Sequence, residues 1–232
     1  MPAFFLALGV AAAIVASHSG EEAPSSKAET SAFTTTAPAA FKVRLETTKG
    51  DVLIEIERAW APLGVDRFFA LVKEGYYDNM RITRVNRPKW AQFGINGDPK
   101  VAKLWRDRTI PDEPRVLSNE RGTIAFAFAV PNGRTTQVFI NLRDNRETHD
   151  KEPFVPFGRV VSGMDVVDKW YAEYGENAGS GIRSGRQGPI FEGGNAYLDR
   201  EYPKLDSIKR AVIILPAATA KGLPKSEDTR FK

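Results

Sequence analysis

Cysteine is absent from this chain of 232 residues, and histidine occurs only twice. The lack of cysteine excludes disulfides, thiol catalysis and thiolate metal sites. His18 and His149 alone do not supply the several ligands that a structural zinc site needs, and no cofactor is implied. A serine hydrolase would have to use His149 beside Asp150, but the Gly-x-Ser-x-Gly motif of many such enzymes is missing.

A strong charge of either sign is also missing. The 33 basic and 29 acidic residues are well mixed and leave a net charge of +4. Such a modest excess is typical of a solvated surface, so we expect no nucleic-acid partner. Hydrophobic residues at 42% and charged residues at 27% indicate an ordinary globular protein with a sizeable core.

The N-terminus carries an apolar run without a charge, residues 3–16. The run is too short to span a bilayer comfortably and suits the apolar region of a secretory signal peptide, with Ala16 and Ser17 at a cleavage point. No Lys or Arg precedes it, and an uncleaved anchor or a disordered start is the alternative. We predict that residues 1–17 are a signal peptide or N-terminal anchor. The expected location is extracytoplasmic, either periplasmic or secreted, with a membrane tether if the segment is retained, and no other integral span.

Composition divides the rest of the chain. Residues 18–40 are rich in Ser, Thr, Glu, Ala and Pro, which predicts a flexible linker. Residues 217–232 are polar and are predicted to be a loose tail. Between them we predict one folded domain over residues 41–216, with a long Gly-rich loop at residues 175–194.

Alternation of apolar and polar residues predicts strands. Residues 41–45 and 52–56 alternate on either side of a turn at Lys49 and Gly50, which predicts a hairpin. Further short strands, punctuated by Gly, Pro and Asn, are predicted at residues 81–85, 91–95, 122–129, 137–142, 154–161 and 211–215.

Only two segments have a clear helical pattern. Pro62 opens the first, and Gly75 lies where its C-cap is expected. The second begins at a sequence resembling a capping box, residues 162–165, and is predicted to run to Gly175. Many strands with two helices indicate a mostly β fold, a closed antiparallel barrel whose last strand pairs with the first and so removes the sheet edges.

The stretch from Arg84 to Phe139 is the most informative for function. It holds one arginine, the glutamines Gln92 and Gln137, and several apolar side chains, without a nucleophile–base pair or a metal cluster. This set suits a reaction that needs neither proton removal nor a covalent intermediate. Rotation about a prolyl peptide bond is such a reaction, and amide resonance gives it a barrier of ~18–20 kcal/mol.

The motifs of residues 41–215 resemble, in order, those of cyclophilin-type peptidyl-prolyl cis-trans isomerases, and most closely a bacterial branch of that family. This resemblance implies an eight-stranded antiparallel barrel closed at both ends by helices, acting on proline-containing polypeptides as a monomer. The motifs are found at residues 74–78, 84–85, 92–99, 122–123, 131–132, 136–141, 156–158, 163–167, 192–198 and 202–206.

The same resemblance implies three catalytic residues. Arg84 matches the catalytic arginine of the family, and Gln92 and Gln137 match the glutamines that hold this arginine and the substrate backbone. A guanidinium favours the twisted amide, whose nitrogen gains a lone pair, over the planar amide. A surface ion pair for Arg84 and a structural role for the two glutamines are the alternatives.

The implied substrate-binding residues line a proline pocket and its rim. Phe139 matches a pocket phenylalanine, for which plain core packing is the alternative. Backbone hydrogen bonds to the substrate are expected around residues 127–129. The complete set is Trp90, Ala127, Phe128, Ala129, Phe139, His149 and Phe154.

Several positions depart from the family pattern. Lys89 stands where the family has a pocket Phe, Thr148 where some members have Trp, and His149 where a pocket Leu is expected. Trp90 stands where Met is usual and is expected to supply apolar surface in compensation, and a shift of the loop by one residue is the alternative. We expect a pocket that is more polar on one wall, with reduced or altered isomerase activity. The departing positions also include Phe128 and Phe154, where Asn and His are common.

Two other functions stay open at this level. One is a module or chaperone that binds proline-containing segments without turnover, which the unusual residues at positions 89, 128, 148 and 149 would favour. The other is a barrel that holds a small ligand, as lipocalins do. The inward Phe and Ile residues argue against the second by filling the interior.

Overall fold

The computed structural model describes residues 35–175, 177 and 187–216. The predicted signal peptide or anchor at residues 1–17, residues 18–34 of the predicted linker, and the predicted tail at residues 217–232 lie outside the described residues. Half of the predicted Gly-rich loop at 175–194, residues 176 and 178–186, lies outside them as well.

A hairpin opens the fold, as predicted. Strands β1 (Ala40–Thr47) and β2 (Gly50–Glu57) pair antiparallel, with Val43 opposite Ile54 and Leu45 opposite Val52. These four side chains are fully buried and alternate with partly exposed ones, as expected of a sheet with one face on the core. The last strand, β9 (Ser207–Ile214), pairs with the free side of β1, so the two ends of the domain close on each other.

All strands of the described chain belong to one antiparallel sheet with the order β3-β9-β1-β2-β8-β6-β7-β5-β4. The two ends of this order, β3 and β4, are separated in the chain by Ile82 and Thr83 alone. The sheet therefore curls back on itself, which confirms the prediction of a mostly β, antiparallel fold. The described residues contain nine strands where eight were predicted, because residues 80–86 form two strands. The remaining bounds are β3 (Met80–Arg81), β4 (Arg84–Asn86), β5 (Trp90–Phe93), β6 (Thr123–Phe126), β7 (Val138–Asn141) and β8 (Pro156–Ser162).

The first helix, α1 (Pro62–Lys73), lies where the sequence predicts it, with proline in its first turn. Gly75 follows with a φ of 68°, a left-handed conformation that glycine adopts without strain. Phe68 packs its ring against Phe157 of β8, with centroids 4.9 Å apart, and both side chains are fully buried.

Apolar side chains fill the inside of the curled sheet. Val85, Ala91, Ile124 and Ile140 stand in one row across four neighbouring strands, and each is at most 3% exposed. Such packing disfavours the alternative of a barrel that holds a ligand in its interior.

The helices differ from the prediction at four places. Helix α2 (Pro99–Arg106) was missed, because it buries only Ala102 and Trp105 and is otherwise rich in charge. Its start is nevertheless well defined, since the Asp98 carboxylate accepts the backbone N–H of Lys100 at 2.8 Å. Helix α5 (Gly188–Glu201) occupies the end of the predicted Gly-rich loop at 175–194.

Packing explains why a Gly-rich segment forms α5. Ile190, Phe191 and Leu198 form a small buried cluster with Ile95 and Ala102, and this tertiary contact outweighs the poor helix propensity of glycine. The helix is kinked at Gly194, where φ is 53° and ψ is −143°. The kink lets Asn195 donate its backbone N–H to the carbonyl of Gly97.

The second predicted helix is shorter than expected. Helix α4 spans Met164–Val167 and does not continue to Gly175. The backbone N–H of Tyr171 donates to the Asp206 carboxylate at 2.6 Å, and the carbonyl of Trp170 accepts from Arg87 at 2.8 Å. Side chains from distant parts of the chain therefore take the hydrogen bonds that a longer helix would have used. One further helical turn, α3 (Arg146–His149), precedes β8.

A buried ion pair fastens the long connection between α2 and β6. Arg134 is 1% exposed, and its guanidinium donates to the Glu113 carboxylate at 2.7 Å. The same carboxylate accepts the backbone N–H groups of Leu63 and Gly64 at 2.8 and 3.0 Å. Glu113 thus satisfies both a buried cation and the first turn of α1.

We expect the substitution Glu113→Ala to lower the free energy of unfolding by about 3–5 kcal/mol, because it removes the hydrogen-bonded carboxylate of the buried Arg134 cation and leaves it the more distant Asp112 carboxylate at 3.7 Å. Urea denaturation measures this change. The matched control is Glu57→Ala at an exposed position, which should change the stability by less than about 0.5 kcal/mol. Equal effects of the two substitutions would contradict the structural role of Glu113.

Candidate active site

Strand register places the predicted arginine and glutamine side by side. Arg84 of β4 is paired with Gln92 of β5, and Gln92 is paired on its other side with Phe139 of β7. Residues that are directly paired across antiparallel strands point to the same face of the sheet. The register therefore sets a cation, an amide and an aromatic ring in one row, on the face opposite to the apolar row of the interior.

Hydrogen bonds connect the cation to two amides. The Arg84 Nη1 donates to Gln92 Oε1 at 2.7 Å, and Gln92 Nε2 donates to Gln137 Oε1 at 2.9 Å. Arg84 and Gln92 are only 3% and 5% exposed. Because arginine can only donate, it fixes which end of the Gln92 amide faces it, and so sets the direction of the next bond.

Gly94 explains how Gln137 comes so close to this row. It follows β5 with a φ of 128°, and a β-carbon at this position would lie 2.4 Å from the Cα of Gln137. Only glycine permits both the backbone angle and the close approach. The Gln-Phe-Gly sequence at residues 92–94 therefore has a physical reason in the contact between β5 and the chain that enters β7.

One open pocket of about 460 Å³ contains all the residues that the sequence predicts for the site. It also contains residues that the sequence analysis did not select for the site. The predicted lining residues are Arg84, Trp90, Gln92, Ala127, Phe128, Ala129, Gln137, Phe139, His149 and Phe154. The additional ones are Lys89, Gly133, Thr135, Arg143, Asn145, Thr148, Glu152 and Gln187.

Aromatic rings form one wall of the pocket. Phe139 lies with its ring centroid 5.2 Å from Phe154 and 5.3 Å from His149, and Phe154 lies 4.5 Å from Phe128. The ring of Trp90 is 5.6 Å from His149. The wall is thus an apolar slot, and the histidine that departs from the family pattern is one of its members.

A buried set of asparagines holds His149 from behind, and the sequence analysis missed it. Asn145 donates to Asn141 Oδ1 at 2.7 Å, and the His149 Nδ1 lies 3.2 Å from the same oxygen. Because this oxygen only accepts, Nδ1 of the ring is the donor, and the neutral ring presents an unprotonated Nε2. Asn141 donates in turn to Asn119 and Thr123 at 3.2 and 2.9 Å. Isolated asparagines carry no periodicity, so only the fold brings them together.

Beside the aromatic wall, residues 127–129 follow β6 without regular secondary structure and also line the pocket. The backbone N–H of Ala127 donates to the carbonyl of Gln137 at 2.9 Å, which prolongs the pairing of β6 with β7 by one step. The segment then leaves the sheet and borders the pocket with Phe128 and Ala129. Backbone groups beside a groove can pair with a peptide by hydrogen bonds, which need no particular side chain.

Charged side chains surround the half-buried His149. Burial lowers its pKa below the ordinary histidine value because it disfavours the charged ring. Glu152 and Asp150 raise the pKa, whereas Arg143 and Lys89 lower it further. The balance keeps the ring neutral near pH 7, so the histidine adds no charge to the slot.

Two further structural findings bear on the type of site. No helix among residues 35–175, 177 and 187–216 is long and apolar enough to cross a membrane. Within the same residues, no group of three or more His, Asp or Glu side chains could hold a metal ion.

Comparison with known proteins points to one family. The family model described as cyclophilin type peptidyl-prolyl cis-trans isomerase matches residues 42–181. The chain is 31% identical over 179 residues to peptidyl-prolyl cis-trans isomerase B of Escherichia coli, covering 74% of this chain and 98% of the relative. It is 32% identical over 137 residues to the isomerase cyp18 of Streptomyces antibioticus, covering 54% and 80% of the two chains.

Solved structures agree with the fold. A cyclophilin type peptidyl-prolyl cis-trans isomerase of Cryptosporidium parvum superposes with a TM-score of 0.53 at 21% identity, covering 76% of this chain and 99% of that one. A structure of the same protein in the presence of the dipeptide Ala-Pro gives a TM-score of 0.52 at 22% identity, with 75% and 99% covered.

The lowered pKa of His149 predicts a pH dependence of stability. As the pH falls below about 6.5, the unfolded chain takes up a proton that the folded ring does not, so the free energy of unfolding decreases until the pH passes the lowered pKa. Urea denaturation at pH 7.5 and 5.5 should show a smaller loss for His149→Gln than for the wild type. Equal losses in the two proteins would contradict this account of the slot.

Proposed function

We propose how this protein works from one premise: the chain belongs to the family of cyclophilin-type peptidyl-prolyl cis-trans isomerases. It accordingly accelerates rotation about Xaa-Pro peptide bonds, and in this general sense it assists protein folding. One observation supports the assignment of the chemistry to particular residues, namely the hydrogen-bonded Arg84 and the aromatic slot around Phe139 in the same open pocket.

In the proposed mechanism, Arg84 stabilises the twisted state of the amide. Rotation breaks the resonance between nitrogen and carbonyl, and the proline nitrogen becomes pyramidal with a localised lone pair. A guanidinium beside that nitrogen interacts with the lone pair in the transition state and much less in the planar ground states. Each ~1.4 kcal/mol of such differential binding is worth a factor of ten in rate. Burial of Arg84 strengthens this interaction because little water competes.

The two glutamines hold the arginine and the substrate in register. Gln92 accepts from Arg84 and donates to Gln137, so the cation cannot turn without breaking a bond in a buried place. Each amide nitrogen carries two hydrogens, and the second can meet a carbonyl of the bound peptide. Gln92 and Gln137 are thus proposed to orient both reactants of the rotation.

The peptide is proposed to lie between the slot and residues 127–129. The proline ring enters the slot of Phe139, His149, Phe154 and Trp90, while residues 127–129 pair with the peptide backbone. The substrate class is therefore a proline-containing polypeptide in an extended conformation. This agrees with the Ala-Pro dipeptide named for the Cryptosporidium parvum structure.

We also propose that the sheet forms the closed eight-stranded barrel of the family. If β3 and β4 are counted as one bent strand over residues 80–86, eight strands remain, and this strand pairs with β9 at its start and with β5 at its end. The bend between them carries Ile82, whose N–H donates to the carbonyl of Asp206 at 2.8 Å. Arg84 then lies two residues after this bend, at the seam of the barrel, where β4 pairs with β5.

We propose that the protein acts outside the cytoplasm, as a monomer. The apolar run at residues 3–16 and the polar linker after it support export, with residues 1–17 either removed or kept as a tether. The clients would be polypeptides of the periplasm or of the secreted fraction.

A second function, peptide binding without turnover, is favoured by one observation. Lys89 and Thr148 line the pocket in place of apolar residues, and Lys89 carries its ammonium 5.8 Å from the centroid of the Trp90 ring. If these polar side chains weaken the binding of the proline ring, the protein would bind extended segments without isomerising them. This is called the holder function below. The following experiment separates the two functions.

We expect Arg84→Ala to lower kcat/KM on a peptide with an Ala-Pro bond by about 100-fold or more, because removal of one preorganised donor typically costs roughly 10²–10³-fold. NMR exchange spectroscopy on the two isomers measures the rate. Arg44→Ala, which removes an arginine that pairs with Glu46 on the far hairpin, is the control and should retain the wild-type rate. If Arg84→Ala and the wild type isomerise the peptide equally, the mechanism is wrong; if neither does so while the peptide binds, the holder function replaces it.

We expect the exported protein to begin after residue 17 when the full chain is expressed in a Gram-negative host. Sequencing of the N-terminus of the periplasmic fraction checks this. A chain that starts at Met1 in the membrane fraction would identify the segment as an anchor, and a chain that stays in the cytoplasm would refute export.

A further inference from the structure

Gln187, which the sequence analysis did not select, forms a reciprocal amide pair with Gln137. The Gln137 Nε2 donates to Gln187 Oε1 at 2.9 Å, and the Gln187 Nε2 donates to Gln137 Oε1 at 3.0 Å. Both side chains are half-buried, and Gln187 lines the pocket. The hydrogen bonds from the cation therefore continue through Gln92 and Gln137 and end at Gln187.

The backbone of Gln187 is firmly held. It is the N-cap residue of α5, and its carbonyl accepts the N–H groups of Ile190 and Phe191 at 3.0 and 3.1 Å. Ile190 and Phe191 are buried against Ile95 and Ala102, on the chain that leaves β5 and on α2. The amide of Gln187 thus reaches the pocket from a helix that packs on α2 and on the chain after β5.

The Gln137–Gln187 pair affects the site because its hydrogen bonds fix the orientation of the Gln137 amide. A glutamine amide can rotate by half a turn at little steric cost, which exchanges its donor for its acceptor. Arg84 prevents this for Gln92, because it offers donors alone. Gln137 has its oxygen fixed by two donors, Gln92 and Gln187, and its nitrogen fixed by the Gln187 oxygen. Without Gln187, one bond to the Gln137 oxygen would remain, and the plane of the amide could turn about it.

We propose that Gln187 is a positioning residue of the isomerase: it acts through Gln137, by fixing the plane and orientation of the amide that meets the substrate backbone. This inference rests on the proposed role of Gln137 in substrate binding. In this role, helix α5 holds the Gln137 amide in the orientation that the hydrogen bonds of Arg84 and Gln92 require.

A double-mutant cycle tests the proposal. Methionine is unbranched and close to glutamine in length, so Gln187→Met removes both hydrogen bonds with little change of volume. We expect kcat/KM on an Ala-Pro peptide to fall by roughly three- to tenfold, the worth of about one net hydrogen bond. In the Gln137→Met background, the second substitution should change kcat/KM by less than about twofold, because Gln187 has then lost the group on which it acts.

Glu192→Met is the matched control, since Glu192 is exposed on the same helix and outside the pocket; it should keep the wild-type kcat/KM. Equal losses from Gln187→Met in both backgrounds would show that it acts independently of Gln137 and would overturn the proposal. An unchanged kcat/KM would do the same, and an increase would show that Gln187 obstructs the peptide.

The affinity of each protein in the cycle for the peptide is also measured by NMR titration. This second measurement tests the proposal even if the protein does not turn over the peptide. The expected pattern is the same: a loss for Gln187→Met in the wild-type background and none after Gln137→Met. If the proposed function itself is wrong, the isomerisation rate will not depend on Arg84 in any of these proteins. Melting temperatures within a few degrees of the wild type show that the variants are folded.

Discussion

The hydrogen bond between Arg84 and Gln92 is the interaction on which the rest of the site depends. A guanidinium that is almost completely buried needs partners, and an amide oxygen holds it in place while leaving its positive charge intact. A carboxylate in the position of Gln92 would hold the cation more strongly but would also cancel much of the field that the twisted amide requires. At this contact, therefore, the amide holds the guanidinium without placing a negative charge beside it.

The fold supports this hydrogen bond by setting the positions of Arg84 and Gln92 through strand pairing. Register across β4, β5 and β7 sets Arg84, Gln92 and Phe139 in one row, while the buried interior row behind them prevents the strands from slipping. Arg84 begins β4 at one end of the strand order, and α5 brings Gln187 to the pocket. The chemistry of the site is thus built mainly on strands, which hold side chains more precisely than loops do.

Sequence patterns predicted the parts of this structure that depend on local regularity. The hairpin of β1 and β2, the helix after Pro62, and the location of Arg84, Gln92 and Phe139 in one pocket agree with the structure, although the catalytic roles stay predictions. Helix α5 could not be predicted, because its glycines disfavour a helix and only the buried contacts of Ile190 and Phe191 stabilise it. The sequence pattern did not indicate the asparagines behind His149 or the amide of Gln187 either. They come from positions far apart in the chain, and polar residues without periodicity give no signal until the fold assembles them.

The central claim is that Arg84 stabilises the transition state and contributes little to ground-state binding. NMR line-shape analysis of one Ala-Pro peptide, with wild-type protein and with Arg84→Gln, yields both the dissociation constant and the exchange rate on the enzyme from the same spectra. The account predicts an exchange rate lower by about two orders of magnitude in the variant, with a dissociation constant changed by no more than a few fold. A variant that binds the peptide far more weakly, yet exchanges the bound peptide at the wild-type rate, would contradict it.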